Sequence, residues 1–188
     1  MRPLGIRLSA VGGCRQVSSF CHCTVFPFSR LRPFDKRWRK RDPWDGMMAP
    51  SLSHTIEIRV RFGETDPYGV AYFAAIFDYF KRGMDEFLRS RGLSPDLAYR
   101  NRNRNFGFPV VASNCRYRAP VRFDDLLILR TRVVRVEKSG ATFGFSLLRT
   151  EAGKDLLAAE GRVSCRSIDA SWKPIPLPAE LKNILSTR

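Results

Sequence analysis

The sequence predicts one α+β domain in which a single long helix lies across a curled antiparallel sheet. Three observations carry this prediction. Apolar and polar residues alternate over residues 54–62, as they do in a half-buried strand. An amphipathic helical pattern follows over residues 73–88. Four further strand-like segments come next, at residues 109–118, 126–137, 141–150 and 156–168.

The first strand and the long helix are defined by the spacing of their apolar residues. In the strand, alternate positions are apolar: Ile56, Ile58, Val60 and Phe62. In the helix, apolar residues recur at spacings of three and four: Phe73, Ile76, Phe77, Phe80, Met84, Phe87 and Leu88. Gly92 follows where a glycine commonly ends a helix. An apolar face of this width is expected to pack against the sheet.

The remaining elements are shorter. Ser94 as N-cap and Pro95 at the first helical position predict a short second helix. Gly140 and Gly153 mark hairpin turns that join the last three strands. A proline-rich segment and a short terminal helix close the chain, in which we find no internal repeat and no second domain.

Residues 1–46 differ from the rest, and we predict a basic, disordered extension followed by a domain at residues 47–188. Up to Phe34 there are five arginines, four serines and no acidic residue, a composition typical of transit peptides. A translated upstream region fits equally well, with initiation at Met47 or Met48, and a basic nucleic-acid-binding arm is a third interpretation. We expect a cytoplasmic protein, or a mitochondrial or plastid one if the extension is a transit peptide.

The composition indicates a soluble protein with anionic partners. The net charge is +15, of which residues 1–46 carry +7 and residues 47–188 carry +8. Such a charge favours nucleic acid, an acidic surface or a phosphate-bearing small molecule. No apolar run approaches the ~20 residues of a membrane-spanning helix. Five cysteines without paired spacing favour a reducing compartment over a disulfide framework.

Several kinds of catalytic site are excluded by what the chain lacks. His22 and His54 are its two histidines, so Ser-His-Asp, Cys-His and histidine-rich metal sites are not predicted. Cys21, His22 and Cys23 lack zinc-finger spacing. The Gly-x-Ser-x-Gly, Gly-x-Gly-x-x-Gly and P-loop motifs are also missing. We therefore expect no metal and no nucleotide cofactor.

Asp66, in the segment Asp-Pro-Tyr-Gly before the helix, is the leading catalytic candidate. Turn chemistry alone explains Asp66, Pro67 and Gly69, since these residue types favour a type I turn. The turn also leads directly into a helix, whose first N–H groups stabilise an anion or a developing oxyanion. A carboxylate beside an apolar segment could serve there as a base or a nucleophile. Glu64 is interpreted as a solvated residue at the end of the strand.

Arg100, Arg102 and Arg104 occupy alternate positions of the segment at residues 99–108. One interpretation is a solvated basic loop. The other is a phosphate clamp, because arginine binds phosphate oxygens bidentately. Nucleic acid is the less favoured partner, because no recognised binding module accompanies the charge.

Two stretches carry a resemblance to a known family. "RFGETDPYGVAYF" (61–73) with its helix resembles the active-site segment of hotdog-fold acyl-CoA thioesterases, the 4-hydroxybenzoyl-CoA thioesterase family. "FPVVASNCRYRAPVRFDDLLILRTRVVRVEKSGATFGFSL" (108–147) resembles the sheet segments that follow. The resemblance covers about residues 54–168. It implies a sheet of about five strands wrapped around one central helix, homodimers or homotetramers joined edge to edge, and active sites at the subunit boundary.

The resemblance also implies a reaction, the hydrolysis of an acyl-CoA or aroyl-CoA to the free acid and CoA without a cofactor. By position, Asp66 attacks the thioester carbonyl or activates water, and the backbone N–H of Phe73 polarises the carbonyl oxygen. Gly69 lets the chain turn close to the substrate. Many relatives have an asparagine and a proline after this glycine, and residues 70–75 have neither. The histidine of hotdog dehydratases is absent as well, which argues against dehydration.

Substrate contacts are assigned in the same way. The CoA phosphates would meet Arg100, Arg102 and Arg104, or Arg135 and Lys138 near a strand turn. Tyr72, Phe77 and the residues around 106–108 would line an acyl or aryl pocket, although core packing explains them too. The alternative is a non-catalytic hotdog module that binds acyl thioesters or RNA through its basic surface.

Overall fold

A computed structural model of the chain describes residues 52–151 and 153–186. The extension predicted for residues 1–46 lies outside the described residues. Within the described ranges the elements follow in this order: β1 (Ser53–Arg59), α1 (Phe73–Ser90), α2 (Pro95–Tyr99), β2 (Arg100–Asn101), β3 (Phe106–Gly107), β4 (Val110–Tyr117), β5 (Leu126–Glu137), β6 (Gly140–Glu151), β7 (Lys154–Arg166) and α3 (Ala179–Ser186).

Five strands form one antiparallel sheet in the order β1-β5-β6-β7-β4, and β2 pairs with β3 in a separate hairpin. The register places Ile58 of β1 opposite Leu127 of β5. Strands β1 and β4 flank α1 in the chain but form the two opposite edges of the sheet. The chain therefore crosses from one edge of the sheet to the other through α1, α2 and the β2–β3 hairpin.

Helix α1 buries its apolar face against the sheet. Phe80 stacks on Phe145 of β6 with ring centroids 4.5 Å apart, and Phe87 meets the Phe143 ring edge-on at 5.9 Å. At Gly83 the helix approaches β5 so closely that a Cβ would lie 2.4 Å from the side-chain oxygen of Thr131. Each fully buried aromatic side chain stabilises the fold by ~1.5–3 kcal/mol. This packing fixes the helix on the sheet and so determines where its first turn lies.

Strand β4 is an edge strand, and seven of its eight side chains are exposed. Val110, Val111 and Tyr117 are 51%, 55% and 51% exposed. An edge strand with apolar side chains and unpaired backbone groups is a surface to which another strand can add.

The predicted α+β architecture and the five-stranded sheet are confirmed, and four of the five predicted strands agree with the observed ones to within about two residues. The first strand ends three residues earlier than predicted, at Arg59, because the chain turns into a 3-10 helix in which Phe62 is exposed. The β2–β3 hairpin was not predicted, because strands of two residues are too short to show a period. In the part of the chain that the structure describes, no helix is long and apolar enough to cross a membrane.

Candidate active site

The chain between β1 and α1 forms a loop that is closed by its own backbone. A short 3-10 helix, Phe62–Glu64, leads into the Asp-Pro-Tyr-Gly segment. The Gly69 N–H donates to the Asp66 carbonyl at 2.8 Å, and the Asp66 N–H donates to the Val70 carbonyl at 2.9 Å. Gly69 has a φ of +71°, a conformation that glycine adopts without steric cost. The predicted turn is present, and it returns the chain to the start of α1.

The half-buried Asp66 carboxylate has two differently placed oxygens. Its Oδ1 accepts the Tyr68 N–H at 2.9 Å and the Val70 N–H at 3.3 Å. No donor within residues 52–151 and 153–186 reaches Oδ2. Two donors on one oxygen orient the carboxylate and leave the other oxygen available to a substrate or a water molecule.

Helix α1 starts beside this turn without a side-chain cap. Tyr72 is its N-cap and makes no side-chain cap hydrogen bond. The Tyr72 N–H donates to the Glu64 carbonyl at 3.1 Å, and the Ala71 N–H donates to the Val121 carbonyl at 2.7 Å. These two hydrogen bonds hold the helix start in place. The first backbone N–H groups of a helix have no acceptor within it. The Phe73 N–H is thus a donor at the positive end of the helix dipole.

Glu64 is a structural residue, and its prediction as a solvated strand-end residue is wrong. Its Oε2 accepts the Arg61 N–H at 2.7 Å and the hydroxyl of Tyr79 at 2.8 Å. Tyr79 lies on α1 with no exposed surface. Burial, together with the hydrogen bond to Glu64, raises the pKa of Tyr79 above its ordinary value, so that the hydroxyl remains a donor. Glu64 therefore joins the loop to the body of the helix.

A buried arginine supports the neighbouring loop at residues 119–125, and nothing in the sequence pattern had marked it. Arg149 of β6 is 7% exposed and donates to the Pro120 carbonyl at 2.5 Å and to Glu151 at 2.8 Å. Asp125 lies 3.7 Å from the same guanidinium and accepts the Arg122 N–H at 2.7 Å. Because loop 119–125 also carries the acceptor for Ala71, Arg149 connects the candidate site to the centre of the sheet.

Exposed aromatic side chains surround the helix start. Phe73 and Tyr68 are 71% and 90% exposed, and Phe62 meets Phe123 edge-on at 5.9 Å. The Tyr117 hydroxyl of β4 donates to the Phe73 carbonyl at 3.3 Å. So many exposed rings at one place are typical of a surface that a ligand or another chain covers.

The two aromatic residues predicted for an acyl pocket lie near this surface. Tyr72, at the N-cap, is 36% exposed. Phe77 is half-buried, packs partly against the core and meets Phe80 edge-on at 5.9 Å. Tyr72 is therefore accessible to a ligand. Phe77 packs against the core and is also partly exposed, so it fits both the acyl-pocket and the core-packing interpretation.

The three predicted clamp arginines are divided between two cavities. Arg100 and Arg102 line a cavity of about 620 Å³. Arg104 lines a different cavity, of about 110 Å³, and forms an ion pair of 2.8 Å with Glu180 on α3. The fold thus separates Arg104 from the other two, and the three arginines do not form a single clamp within this chain.

Arg135 and Lys138 lie at the β5–β6 end of the sheet. Arg135 forms an ion pair of 3.1 Å with Glu137, and Lys138 is an exposed residue of the turn. Nine residues of strand separate Arg135 from Leu126, the end of β5 that adjoins the site loop, a distance of ~30 Å. Within this chain, Arg135 and Lys138 therefore lie far from Asp66.

The site thus offers one carboxylate oxygen, the backbone donors of a helix start and an aromatic rim. In the described ranges no group of three or more His, Cys, Asp or Glu side chains could hold a metal ion. A helix packed on a curled antiparallel sheet, with an acidic turn before it, is the arrangement of the hotdog-fold thioesterases. The chain belongs to the thioesterase-like superfamily, whose family model matches residues 60–185.

Known proteins of this kind align with most of the domain. The acyl-CoA thioesterase YbgC of Haemophilus influenzae is 27% identical over 126 residues, 66% of this chain and 88% of that protein. A 1,4-dihydroxy-2-naphthoyl-CoA hydrolase of Synechococcus is 29% identical over 115 residues, 60% of this chain and 74% of that one. The crystal structure of Slr0204, a 1,4-dihydroxy-2-naphthoyl-CoA thioesterase from Synechocystis, superimposes with a TM-score of 0.62 at 22% identity, over 71% of this chain and 95% of that one. The predicted family and hotdog fold are confirmed.

Proposed function

We propose that this protein is an acyl-CoA or aroyl-CoA thioesterase that hydrolyses its substrate to the free acid and CoA. The observation that carries the proposal is the Asp66 carboxylate, which has one oxygen fixed by two N–H groups and the other unoccupied beside an uncapped helix start. The relatives named as acyl-CoA thioesterases and the family membership support the same substrate class.

In the proposed reaction, the thioester carbonyl oxygen accepts a hydrogen bond from the Phe73 N–H. One such donor, placed where negative charge develops, stabilises the transition state by about 3 kcal/mol. Asp66 Oδ2 attacks the carbonyl carbon, the C–S bond breaks, and the CoA thiolate leaves; water then hydrolyses the mixed anhydride. In the alternative, Asp66 takes a proton from water as that water attacks the carbon, the C–S bond breaks, and the proton passes to the departing CoA thiolate. Both routes need the same carboxylate at the same place.

Gly69 and the residues after it shape this arrangement. The left-handed conformation of Gly69 makes the turn tight and leaves the space beside it open, since a Cβ there would meet no atom within 4 Å. Residues 70–75 supply no side-chain amide, so the backbone donors of α1 carry the polarisation of the carbonyl.

CoA also brings a pyrophosphate and a 3′-phosphate, for which the basic surface supplies partners. Arg135 and Lys138 are exposed at the β5–β6 end, and we propose them as phosphate contacts reached across a subunit boundary. Charge-assisted contacts of this kind are strong when the arginine fork meets phosphate oxygens.

We infer that the active form is a homodimer, or a homotetramer built from such dimers. The exposed β4 edge, with Val110, Val111 and Tyr117, supports pairing of two copies along this strand. Pairing would cover the apolar side chains of β4 and bring a second chain to the aromatic rim.

The test is thiol release from a panel of short, long and aromatic acyl-CoAs by the wild-type protein and by Asp66→Asn. Asparagine can still accept the Tyr68 and Val70 N–H groups, so the turn is kept while the charge is lost. We expect activity to fall about 100- to 10,000-fold. Asp78→Asn, on the exposed face of α1, is the matched control and should keep its activity. Equal activity of Asp66→Asn and wild type would contradict the proposal and favour the non-catalytic binding module.

A further inference from the structure

The cavity of about 620 Å³ lies between the β2–β3 hairpin, the start of β4 and the segment after β7. Its walls are largely apolar and aromatic, with Phe106 and Phe108 buried behind it and Trp172 at its mouth. Lys81, Arg100 and Arg102 line the same cavity. Its chemistry therefore suits a ligand with an apolar body and a negative charge.

The positive charge of the cavity is not neutralised from within the protomer. Among the described residues, neither Arg100 nor Arg102 has an ion-pair partner. Lys81 is paired with Asp85 at 2.6 Å. Asp169 is the one acidic side chain that the described residues contribute to the lining, and its Oδ1 already accepts the Ser171 and Lys173 N–H groups. Two arginines therefore remain to bind an anion.

A continuous surface leads from the candidate active site to this cavity. Phe73, Phe77 and Lys81 are spaced by four residues and so lie on one side of α1. The edge strand β4 runs beside this stripe, since Tyr117 binds the Phe73 carbonyl at one end and Val110 lines the cavity with Lys81 at the other. Eight helical residues separate Phe73 from Lys81, which places the cavity ~12 Å along the helix from the proposed oxyanion donor.

The residue at the cavity mouth is held in an unfavourable backbone conformation. Trp172 has a φ of +63° and is 76% exposed. A left-handed conformation is unfavourable for a non-glycine residue, because its Cβ comes too close to a neighbouring carbonyl oxygen. The turn is kept closed by the Asp169 side chain and by the Trp172 N–H, which donates to the Asp169 carbonyl at 3.0 Å. Strain that the surroundings enforce on an exposed aromatic residue is typical of a ligand-contacting position.

We propose that this cavity receives the far end of the acyl group and selects acyl groups that end in a carboxylate. The inference rests on the proposed function and names its substrate class. The acyl chain lies along the stripe of Phe73 and Phe77, Trp172 and Phe108 enclose its far end, and Arg100 and Arg102 bind the terminal carboxylate. The thioester carbonyl oxygen accepts the hydrogen bond from the Phe73 N–H, as in the proposed reaction.

The first test compares two CoA thioesters of equal length, sebacoyl-CoA with a terminal carboxylate and decanoyl-CoA without one. The measured quantity is the ratio of their kcat/KM values in the full-length protein. We expect the wild type to favour sebacoyl-CoA. In the Arg100→Gln/Arg102→Gln variant, the ratio of kcat/KM for sebacoyl-CoA to that for decanoyl-CoA should fall about tenfold. Arg89→Gln/Arg130→Gln, which removes two exposed arginines outside the cavity, is the charge-matched control and should keep the wild-type ratio.

Two results would overturn the proposal. An equal loss of kcat/KM for both substrates would show that the two arginines bind the CoA phosphates, which the substrates share. Unchanged kcat/KM values for both substrates in the double variant would show that they bind no part of the substrate.

A binding measurement keeps the test independent of catalysis. In a Trp38→Phe/Trp44→Phe background Trp172 is the single tryptophan, so its fluorescence reports on the cavity. Monomethyl sebacate, which has one free carboxylate, should change this fluorescence at lower concentration than methyl decanoate, which has none, and the two arginine substitutions should remove the difference. This outcome would support the proposal that the cavity binds a terminal carboxylate, even if no thioester were hydrolysed. No response to monomethyl sebacate would overturn it even if thioesters were hydrolysed.

Discussion

The loop that carries Asp66 and the hairpin that carries Arg100 and Arg102 are built in opposite ways. In the loop, successive backbone groups are hydrogen-bonded to one another or to the sheet, and Glu64 is fixed by Tyr79. In the hairpin, each strand has two residues, and the arginines extend into an open cavity.

The difference follows from what each region is proposed to do. Bond formation at a carbonyl carbon requires a carboxylate that is held within a fraction of an ångström, so its oxygens cannot be left to move. Recognition of a terminal carboxylate by arginine forks tolerates adjustment, because long side chains reach their partner from several backbone positions. The loop is therefore expected to be sensitive to substitution in both stability and rate, and the hairpin mainly in specificity.

The largest effect is expected at Arg149, which supports the loop side. Arg149→Met keeps an unbranched apolar side chain but leaves Asp125 without its cationic neighbour and the Pro120 carbonyl without its donor. We expect a loss of about 3 kcal/mol in the free energy of unfolding, measured by urea denaturation. Arg102→Gln in the hairpin should change it by less than about 0.5 kcal/mol. Equal effects of the two substitutions would remove the contrast between the regions.

The pH dependence of stability probes one tyrosine beside each region, the buried Tyr79 next to the loop and the partly buried Tyr99 next to the hairpin. Burial is the main cause that raises the pKa of both Tyr79 and Tyr99 above the ordinary 10.0. Below that value both hydroxyls are protonated in the folded and the unfolded chain, so stability does not change. Above it the unfolded chain loses protons that the folded protein retains, and stability falls as the pH rises.

From about pH 9 to about pH 10.5 we expect the two tyrosines together to remove about 1.5 kcal/mol from the free energy of unfolding. Tyr79→Phe and Tyr99→Phe should each reduce the loss by about 0.8 kcal/mol. The loss that remains comes from the Cys115 and Cys165 thiols, whose pKa values burial also raises. The measurement is urea denaturation at a series of pH values. A flat profile up to pH ~10.5 would contradict the burial of these hydroxyls.

The smallest effect concerns the backbone of the loop itself. Gly69→Ala introduces a Cβ that meets no atom within 4 Å, so its cost comes only from the φ of +71°. We expect about 1 kcal/mol of destabilisation and a fall in thioesterase kcat, because the Val70 N–H would move relative to Asp66. Gly63→Ala lies in the same loop with open space and no positive φ, and it should be neutral. Equal behaviour of both alanines would mean that the turn conformation does not position the carboxylate.

Much of the fold was predictable because its signals are local. Alternation predicted β1 and helical spacing predicted α1, since neighbouring residues alone determine which side chains share a face. The Asp-Pro-Tyr-Gly turn was predictable for the same reason, because proline and glycine restrict or release backbone angles wherever they stand. Glu64 was misinterpreted, because its partner Tyr79 lies 15 residues away on the helix.

The sequence by itself determined the order of the strands along the chain, the long amphipathic helix, and the turn that places a carboxylate before it. Only the tertiary structure decided which polar groups meet. Arg149 donates to the Pro120 carbonyl, 29 positions away in the sequence. Arg104 pairs with Glu180, 76 positions away, and is thereby separated from Arg100 and Arg102. Periodicity reflects forces between near neighbours, whereas such pairs form only after the sheet and the helix have packed and brought distant segments within hydrogen-bonding distance.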